Sequence, residues 1–239
     1  MFIGVKRESV RWLLAETLVV VLGILIAFQI EEWRIEWIER EQEAETLRSL
    51  LIDFDIGERE YQLWEEGLLK TRANTKRLIE LLWAEEVPSV EVLEPLLQLE
   101  NKNYETRYWA PTATAFLSAR ASGHFSLISD HRLRKGLTDY FDTMEPFLLE
   151  TRKEQQASLQ AFFAAVKRET IATPAKDFFE SGEVLRTLAV PVAQFPSDPG
   201  FKDVLLNYHE RTERNIRRIH FARSLLEDFR EQIKAQLDN

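Results

Sequence analysis

Apolar residues dominate one uninterrupted stretch near the amino terminus, the nineteen residues from Trp12 to Ile30. The part from Leu18 to Phe28 is apolar on every side of a helix, whereas a helix lying on a soluble core is apolar on one face only. As a helix the stretch would be roughly 28 Å long at about 1.5 Å per residue, close to the ~30 Å hydrocarbon core of a bilayer. The pattern predicts a transmembrane helix over residues 12–30.

The flanks of this stretch favour a membrane span over its two alternatives. Trp12 and Trp33 bracket it, as tryptophans do at membrane interfaces. A buried soluble helix would seldom be apolar all round. A cleaved signal peptide needs small residues before its cleavage point, and Leu25 and Ala27 are the nearest approach to such a pair.

Charge on the two sides of the span predicts its orientation. Residues 1–11 hold three basic residues against one glutamate, a net charge of +2, while residues 31–45 hold seven glutamates against two arginines, a net charge of −5. Basic segments stay in the cytoplasm. We therefore expect residues 1–11 to be a cytoplasmic tail in a bacterial inner membrane, with most of the chain in the periplasm.

A seven-residue apolar repeat continues beyond the span, and no proline or glycine interrupts it between Gly23 and Gly57. Ten of its twelve positions are apolar or glycine. The positions are Glu16, Val19, Gly23, Ile26, Ile30, Trp33, Trp37, Arg40, Ala44, Leu47, Leu51 and Phe54. The repeat predicts that the membrane helix continues directly as a stalk helix over residues 31–70.

Five residues of this helix are candidate contacts with a partner helix. Gly23 and Ala27 form a small-xxx-small pair that would allow close approach, and Glu16 could accept a hydrogen bond there. Trp33 and Trp37 continue the same face outside the membrane. In the alternative interpretation, Gly23 merely tolerates lipid and Glu16 reaches the cytoplasmic surface.

The remainder of the chain is helical by pattern, and no segment shows a strand alternation. We expect one helix from Pro111 to Gly123 and a next helix capped by Ser129 or Asp130, with a kink or break at Pro146. The passage from Thr173 to Gly200 is proline-rich. The predicted fold is all-α: a transmembrane helix continuing into a stalk that packs with a helical periplasmic domain over residues 71–239.

A last long helix is predicted over residues 202–237, packed antiparallel against the stalk. Five arginines cluster near its middle, and the glutamates of residues 31–45 offer a complementary field. The arginines are Arg211, Arg214, Arg217, Arg218 and Arg223. The alternative is that both groups are solvated surfaces, since exposed pairs contribute about 0–1 kcal/mol each.

Composition excludes several kinds of chemistry. A net charge of −9 argues against nucleic-acid binding, which needs a basic surface. The absence of cysteine excludes disulfides, thiolate zinc sites and iron–sulfur clusters. The eight glycines are too dispersed for a phosphate-binding loop. We expect neither a cofactor nor a metal, and no enzymatic activity.

Two short segments contain residue types found in catalytic sites. HERTE, from His209 to Glu213, has a glutamate where the second histidine of a zinc motif would stand. SGHFSLISDH, over residues 122–131, contains serine, histidine and aspartate, but these are also the residues of a helix end followed by a helix cap. We expect structural roles for both segments.

An aromatic cluster is the candidate ligand or partner surface of the periplasmic domain. It comprises Tyr104, Tyr108, Trp109 and Phe116. Aromatic side chains at the corner between a loop and a helix can line a groove, although more often they belong to the core.

The segments LLAETLVVVLGILIAFQIEEW and TATAFLSARASGHFSLISDHRLRKGLTDYF resemble a family of bacterial single-pass membrane-anchored proteins without an assigned function. That family has a span of the type LxExxxVxxGIxIAxQxxxW and a later small-residue helix ending in SG. Glu31 and Glu32 stand where the family has asparagines. The resemblance implies a membrane-tethered helical protein and supplies no catalytic residues.

These observations favour an interaction protein: an accessory or scaffold subunit of a membrane or envelope complex, in contact with lipid and with further copies of itself or other membrane subunits. A periplasmic small-ligand sensor using the aromatic cluster is the first alternative. A hydrolase based on HERTE or SGHFSLISDH is the second.

Overall fold

The computed structural model describes residues 7–86, 88–102, 113–176 and 184–238. The fold is mostly helical, as predicted, with one small two-stranded sheet. The helices are α1 (Arg7–Leu82), α2 (Val90–Lys102), α3 (Thr114–Ser122), α4 (His131–Asp139), α5 (Glu145–Glu169) and α6 (Phe201–Leu237). The strands are β1 (Thr170–Pro174) and β2 (Val184–Leu188), and short 3₁₀ turns span His124–Leu127 and Val192–Gln194.

Helix α1 is one continuous helix of 76 residues, which confirms the predicted passage from the apolar stretch into the stalk. It continues through residue 70, where the stalk was expected to end, and ends at Leu82. Gly57 lies inside it without interrupting it. A Cβ at Gly57 would lie 3.6 Å from Leu226 Cδ1, so this glycine sits where α6 passes closely.

Helix α6 packs antiparallel along α1, as predicted. Gln236, near the end of α6, bonds Glu43 of α1, and His209, near its start, bonds Thr75. Between these ends Phe229 stacks on Phe54 with ring centroids 6.1 Å apart. The apolar stripe of α1 is therefore covered by α6 from about residue 43 onwards.

The predicted charge pairing between the two helices is wrong in its register. Residues 31–41 lie beyond the end of α6 and are exposed. The carboxylates that face α6 come later: Arg223 pairs with Glu58 and Glu65, and Arg230 lies 2.6 Å from Asp55. Packing of the apolar stripes sets this register, because each surface ion pair contributes too little to shift two long helices.

The junction between α3 and α4 confirms both predicted caps. Gly123 ends α3 in the left-handed conformation, with φ of 82°. The Asp130 carboxylate accepts hydrogen bonds from the backbone N–H groups of Arg132 and Leu133 at the start of α4. Pro111, the predicted start of α3, lies outside the described residues.

Pro146 has the predicted local effect. A π-helical segment, Tyr140–Met144, connects α4 to α5 immediately before it. Proline lacks the N–H group of a regular helical bond, and its ring clashes with the carbonyl four residues earlier. The wider π turn accommodates both constraints without ending the helical path.

The hairpin of β1 and β2 corrects the expectation of no strands. The strands pair antiparallel from Thr170 opposite Leu188 to Pro174 opposite Val184. A two-stranded sheet is marginal alone, and this one is held from outside: the backbone N–H of Leu188 donates to Glu94 of α2 at 3.0 Å. Five-residue strands in a proline-rich passage are too short for a periodicity signal.

Two apolar cores lie along the helices. The first is built around Leu50, Phe54 and Tyr61 of α1, with Leu137 and Ile219 packed on them. The second lies further from the apolar stretch and is built around Leu78 of α1, Phe162 of α5 and Tyr208 of α6. The three long helices are shared by both cores.

Candidate interaction surface

The first part of α1 lies outside the folded body. Every residue from Glu16 to Glu41 whose side chain is described is exposed. We call residues 16–41 the outer segment and residues 42–82 the inner segment. Ten large apolar side chains between Leu18 and Ile30 are 48% to 68% exposed. They are Leu18, Val19, Val20, Val21, Leu22, Ile24, Leu25, Ile26, Phe28 and Ile30.

The five predicted contact residues all lie in the outer segment. Glu16, Gly23 and Ala27 are exposed, and a Cβ added at Gly23 would meet no atom within 4 Å. Trp33 is 68% exposed and Trp37 is 67% exposed. The helix aligns these residues along one side, and the body covers none of them.

Charged side chains and apolar ones alternate just beyond the apolar stretch. Arg34 lies 3.9 Å from Glu31 and Arg40 lies 3.4 Å from Glu36, both pairs within the same helix. Ile35 and Ile38 are 48% and 37% exposed among them. A surface that combines large apolar groups with charges in this way is typical of a site of contact with another molecule.

Within the part of the chain that the structure describes, no helix is long and apolar enough to cross a membrane. The span predicted over residues 12–30 includes residues 13–15, whose side chains lie outside the described part. The membrane anchor and the cellular location stay predictions.

The aromatic cluster is described only in part. Tyr104, Tyr108 and Trp109 lie outside the described residues. Phe116 is 1% exposed, and its ring stacks on Phe141 with centroids 4.2 Å apart. Phe116 is thus a core residue in this fold, while a ligand surface formed by the other three stays a prediction.

The two segments with catalytic residue types have structural partners. His209 Nδ1 lies 2.8 Å from Thr75 Oγ1, and Glu213 pairs with Arg72 at 3.8 Å. In SGHFSLISDH, the Ser126 hydroxyl donates to the Gly123 carbonyl and Asp130 caps α4. No group of three or more potential metal ligands occurs among the described residues.

An open depression lies where α1 leaves the body. Ser129, Asp130 and Gln236 contribute to its lining. Beside it, Glu43 accepts hydrogen bonds from the Ser129 backbone N–H at 2.6 Å and the Ser129 hydroxyl at 2.9 Å. These bonds fasten the end of the body to α1 and fix where the outer segment begins.

A partly buried polar layer lies between the two cores, and the sequence analysis missed it. Thr75 of α1 lies 2.8 Å from His209 of α6, and Asn215 of α6 donates to Gln155 of α5 at 2.8 Å. Arg218 donates to the Thr151 hydroxyl at 2.8 Å. The available signal was a polar residue at a buried position of each of the three long helices, Thr75, Thr151 and Asn215. Because each needs its partner, the layer reinforces the register that the packing of the apolar stripes sets.

A tyrosine pair in the first core was also missed. The hydroxyls of Tyr61 and Tyr140 lie 2.8 Å apart and both residues are buried. Burial raises the pKa of both phenols. Nearby, burial raises the pKa of the half-buried Glu145 carboxyl to about 7. Tyr61 lies seven residues after Phe54, the last position of the repeat as predicted, and this spacing was the sequence signal for its burial.

Comparison with protein-family models, curated proteins and solved structures found no match for the chain. The resemblance to a membrane-anchored family therefore stays an expectation, and the functional argument depends on the chain's own geometry.

Proposed function

We propose that the protein is a membrane-anchored interaction protein, an accessory or scaffold subunit of a membrane or envelope complex, with its helical body in the bacterial periplasm. The observation that carries this proposal is the outer segment. It is apolar on all sides from Leu18 to Phe28, and the body leaves it uncovered.

The energetic argument concerns the ten large apolar side chains between Leu18 and Ile30. Burying one such side chain is worth about 1.5–3 kcal/mol relative to leaving it in water. Each of these side chains is already about half shielded from water, so only the remaining half gains free energy on transfer. For the ten together, transfer into hydrocarbon is worth on the order of 10 kcal/mol. A bilayer covers all sides of a helix at once, which no single protein groove does.

The sequence before residue 16 lengthens the apolar run. Leu13, Leu14 and Ala15 extend it, and Glu16 is its one charged residue up to Ile30. Glu16 lies within the first turns of the run, where a carboxylate can reach the headgroups. The net charges of +2 before the run and −5 after it favour a cytoplasmic amino terminus.

The body is suited to holding partners. It is a set of long helices in which α6 packs along α1 and Glu43 bonds Ser129 and Gln236. A body packed on the continuation of the proposed membrane helix would be held at a set distance from the membrane. This is the geometry of a scaffold.

Membrane extraction tests the proposal. The full chain expressed in bacteria should remain in the membrane fraction after a carbonate wash, and protease added to the periplasmic side should digest the body. A double variant, Leu22→Arg and Leu25→Arg, should move the chain to the soluble fraction, because each arginine near the bilayer centre costs about 2.5–3.5 kcal/mol.

The matched control places the same two substitutions at Ile52 and Leu63, exposed apolar residues of the inner segment. That variant should stay in the membrane. Release of the unmodified chain by carbonate would contradict the proposal.

A further inference from the structure

Glu145, the first residue of α5, has a half-buried carboxyl group near the first core. Among the described residues it forms neither an ion pair nor a side-chain hydrogen bond. Two other carboxyl groups in the same region have partners: Asp53 accepts the backbone N–H of Ala115 at 2.7 Å, and Glu65 pairs with Arg223. A carboxylate that leaves water without a partner is costly, so the charged form of Glu145 is disfavoured in this position.

Two phenol groups lie close to the Glu145 carboxyl group. Tyr140 belongs to the π-helical segment that ends just before Glu145, and Tyr61 belongs to α1; the charge of Glu145 acts on both phenols. Glu58 of α1 also acts on Tyr61, and its carboxylate is held by Arg223 of α6. Glu145 therefore faces two neutral phenols and, behind them, a carboxylate that already has its cation.

Cations on the helices around Glu145 are paired with other carboxylates. The pairs lie on α3, α4, α5, α6 and the π-helical segment. They are Arg120 with Asp142, Lys135 with Asp139, Lys153 with Glu150, and Arg218 with Glu154. In the part of the chain that the structure describes, none of these cations compensates an ionised Glu145.

Glu145 is the one group of this cluster of three that changes its charge near neutral pH. Burial raises the pKa of the Tyr61 and Tyr140 phenols, so both stay protonated. Burial also raises the pKa of the Glu145 carboxyl group, to about 7. Between pH 6 and pH 8 the carboxyl group therefore becomes ionised while the tyrosine pair stays neutral.

The backbone beside Glu145 is irregular. Its N–H group donates to the Tyr140 carbonyl, five residues earlier, and closes the π turn. Pro146 follows and has no N–H group to donate. The side chains of Asp142 and Thr143 within the turn are exposed, so water reaches this segment. An ionised Glu145 can therefore regain water by the opening of one turn, at a lower cost than by unfolding of the body.

We propose that the π-helical segment and the start of α5 form a pH-sensitive hinge, which stays closed while Glu145 is protonated and opens locally when Glu145 loses its proton. The inference is independent of the proposed membrane anchor. Single π turns within helices are frequent at functional sites, and a local charge change that biases such an element is a common form of switch.

Opening of the hinge changes the contact between the π-helical segment and α1. When the hinge is closed, the hydroxyls of Tyr140 and Tyr61 lie 2.8 Å apart, and the Tyr140 ring packs on Phe54 with centroids 6.2 Å apart. Tyr140 lies in the turn that opens, so both contacts are lost together. The first core is then uncovered at this point while the second core stays packed.

Proton linkage gives the direction and the size of the effect. The carboxyl group has a pKa of about 7 in the closed hinge and 4.5 when it is fully in water, so opening releases a proton. Opening is therefore favoured as the pH rises. With these two values the equilibrium constant for opening increases about tenfold between pH 6 and pH 8.

Hydrogen exchange of the full chain in detergent micelles, followed by mass spectrometry at pH 6 and pH 8, tests the hinge. Rates are first corrected for the intrinsic exchange rate, which itself rises with pH. We expect the protection of residues 140–148 to fall about tenfold from pH 6 to pH 8. Residues 158–166 of α5, which pack in the second core, should stay at least tenfold better protected at both pH values.

Two variants separate Glu145 from other titrating groups. Glu145→Gln keeps the shape of the protonated side chain and should abolish the pH effect on residues 140–148. Glu150→Gln, at an exposed position of the same helix, should retain it.

Equal protection of residues 140–148 at pH 6 and pH 8 would overturn the proposal, as would an undiminished pH effect in Glu145→Gln. Equal protection of the two stretches at each pH would mean that only the whole body unfolds, and would overturn the local hinge. The membrane proposal stands or fails by carbonate extraction alone.

Discussion

The inner and outer segments of α1 have opposite surroundings within one unbroken helix. In the inner segment, Leu50 is fully buried and Phe54 is 2% exposed, with the rings of Tyr140, Phe141 and Phe229 around Phe54 at 6.2, 6.0 and 6.1 Å. In the outer segment, Phe28 is 68% exposed. Helix formation is the same in both, and only the covering differs.

This difference shows that the stability of the body and the function of the outer segment are separable. Apolar residues in the inner segment stabilise the fold by packing against α6 and the π-helical segment. Apolar residues in the outer segment contribute nothing to that packing, and the proposed membrane contact is what would cover them. The following predictions test this separation, beginning with the largest effect.

Truncation of the central aromatic residue of the first core should be severe. Phe54→Ala removes a ring that contacts three others and leaves a cavity, so the free energy of unfolding of the body should fall by about 3–5 kcal/mol. Chemical denaturation followed by circular dichroism measures the loss. A loss below about 1 kcal/mol would contradict the close packing of this core.

Removal of Arg223, the arginine of α6 that faces α1, should have the next largest effect. Arg223 pairs with Glu58 and Glu65, whose side chains are 20% and 15% exposed. Burial opposes ionisation of Glu65, but hydrogen bonds from His220 and Arg223 hold its pKa below the usual value. Arg223→Ala leaves these carboxylates without their cation and should cost about 2–3 kcal/mol.

Arg40→Ala is the matched control for that substitution. Arg40 pairs with Glu36 on the exposed outer segment, and such pairs contribute about 0.3–0.5 kcal/mol.

Because a carboxyl with a lowered pKa stabilises the fold only while ionised, the unmodified body should also lose stability as the pH falls through the folded pKa of Glu65. Arg223→Ala should flatten this acid dependence.

Glu145 should give the opposite pH dependence. Its pKa is raised to about 7 by burial, whereas in the unfolded chain it ionises near 4.5. Between pH 4.5 and 7, Glu145 is therefore protonated in the folded state but ionised in the unfolded chain. The free energy of unfolding should decrease as the pH rises from 4.5 to 7. Glu145→Gln should raise the Tm at pH 8 and remove this part of the pH dependence.

Glu150→Gln, at an exposed position of the same helix, is the control for Glu145. Thermal unfolding at several pH values measures both variants. An identical pH dependence of Tm in the unmodified chain and in Glu145→Gln would contradict the burial of this carboxyl.

The smallest effect on folding is expected for Trp37→Ala. Trp37 is 67% exposed and lies outside the body, so the free energy of unfolding of the body should change by less than about 0.5 kcal/mol. A large loss of body stability would show that the outer segment is part of the fold.

Local signals in the sequence predicted most of the helical framework. The unbroken repeat from Gly23 predicted one helix, and Gly123 and Asp130 predicted two caps. Pro146 predicted a kink or break, and the structure has a π-helical segment just before it. Each of these effects depends on a residue and its near neighbours in the chain. The hairpin was missed, since Glu94 and other distant residues hold it.

The candidate surface stays a prediction, and its residues could be chosen from the sequence because the choice needs no tertiary contact. Glu16, Gly23, Ala27, Trp33 and Trp37 follow from one helical period. Phe116 shows the limit of such reasoning, since its place in the core depends on Phe141 from a different helix.

The sequence by itself determined that the apolar stretch and the stalk form one helix, where two helix caps lie and which stretch is apolar all round, because backbone capping and helical periodicity act over a few residues. It did not determine that α1 ends at Leu82. The tertiary structure alone decided that Arg223 faces Glu58 and Glu65, that Tyr61 meets Tyr140, and that Glu145 lies half-buried. These contacts join residues up to 165 positions apart, and loss of water around them appears only when the helices pack.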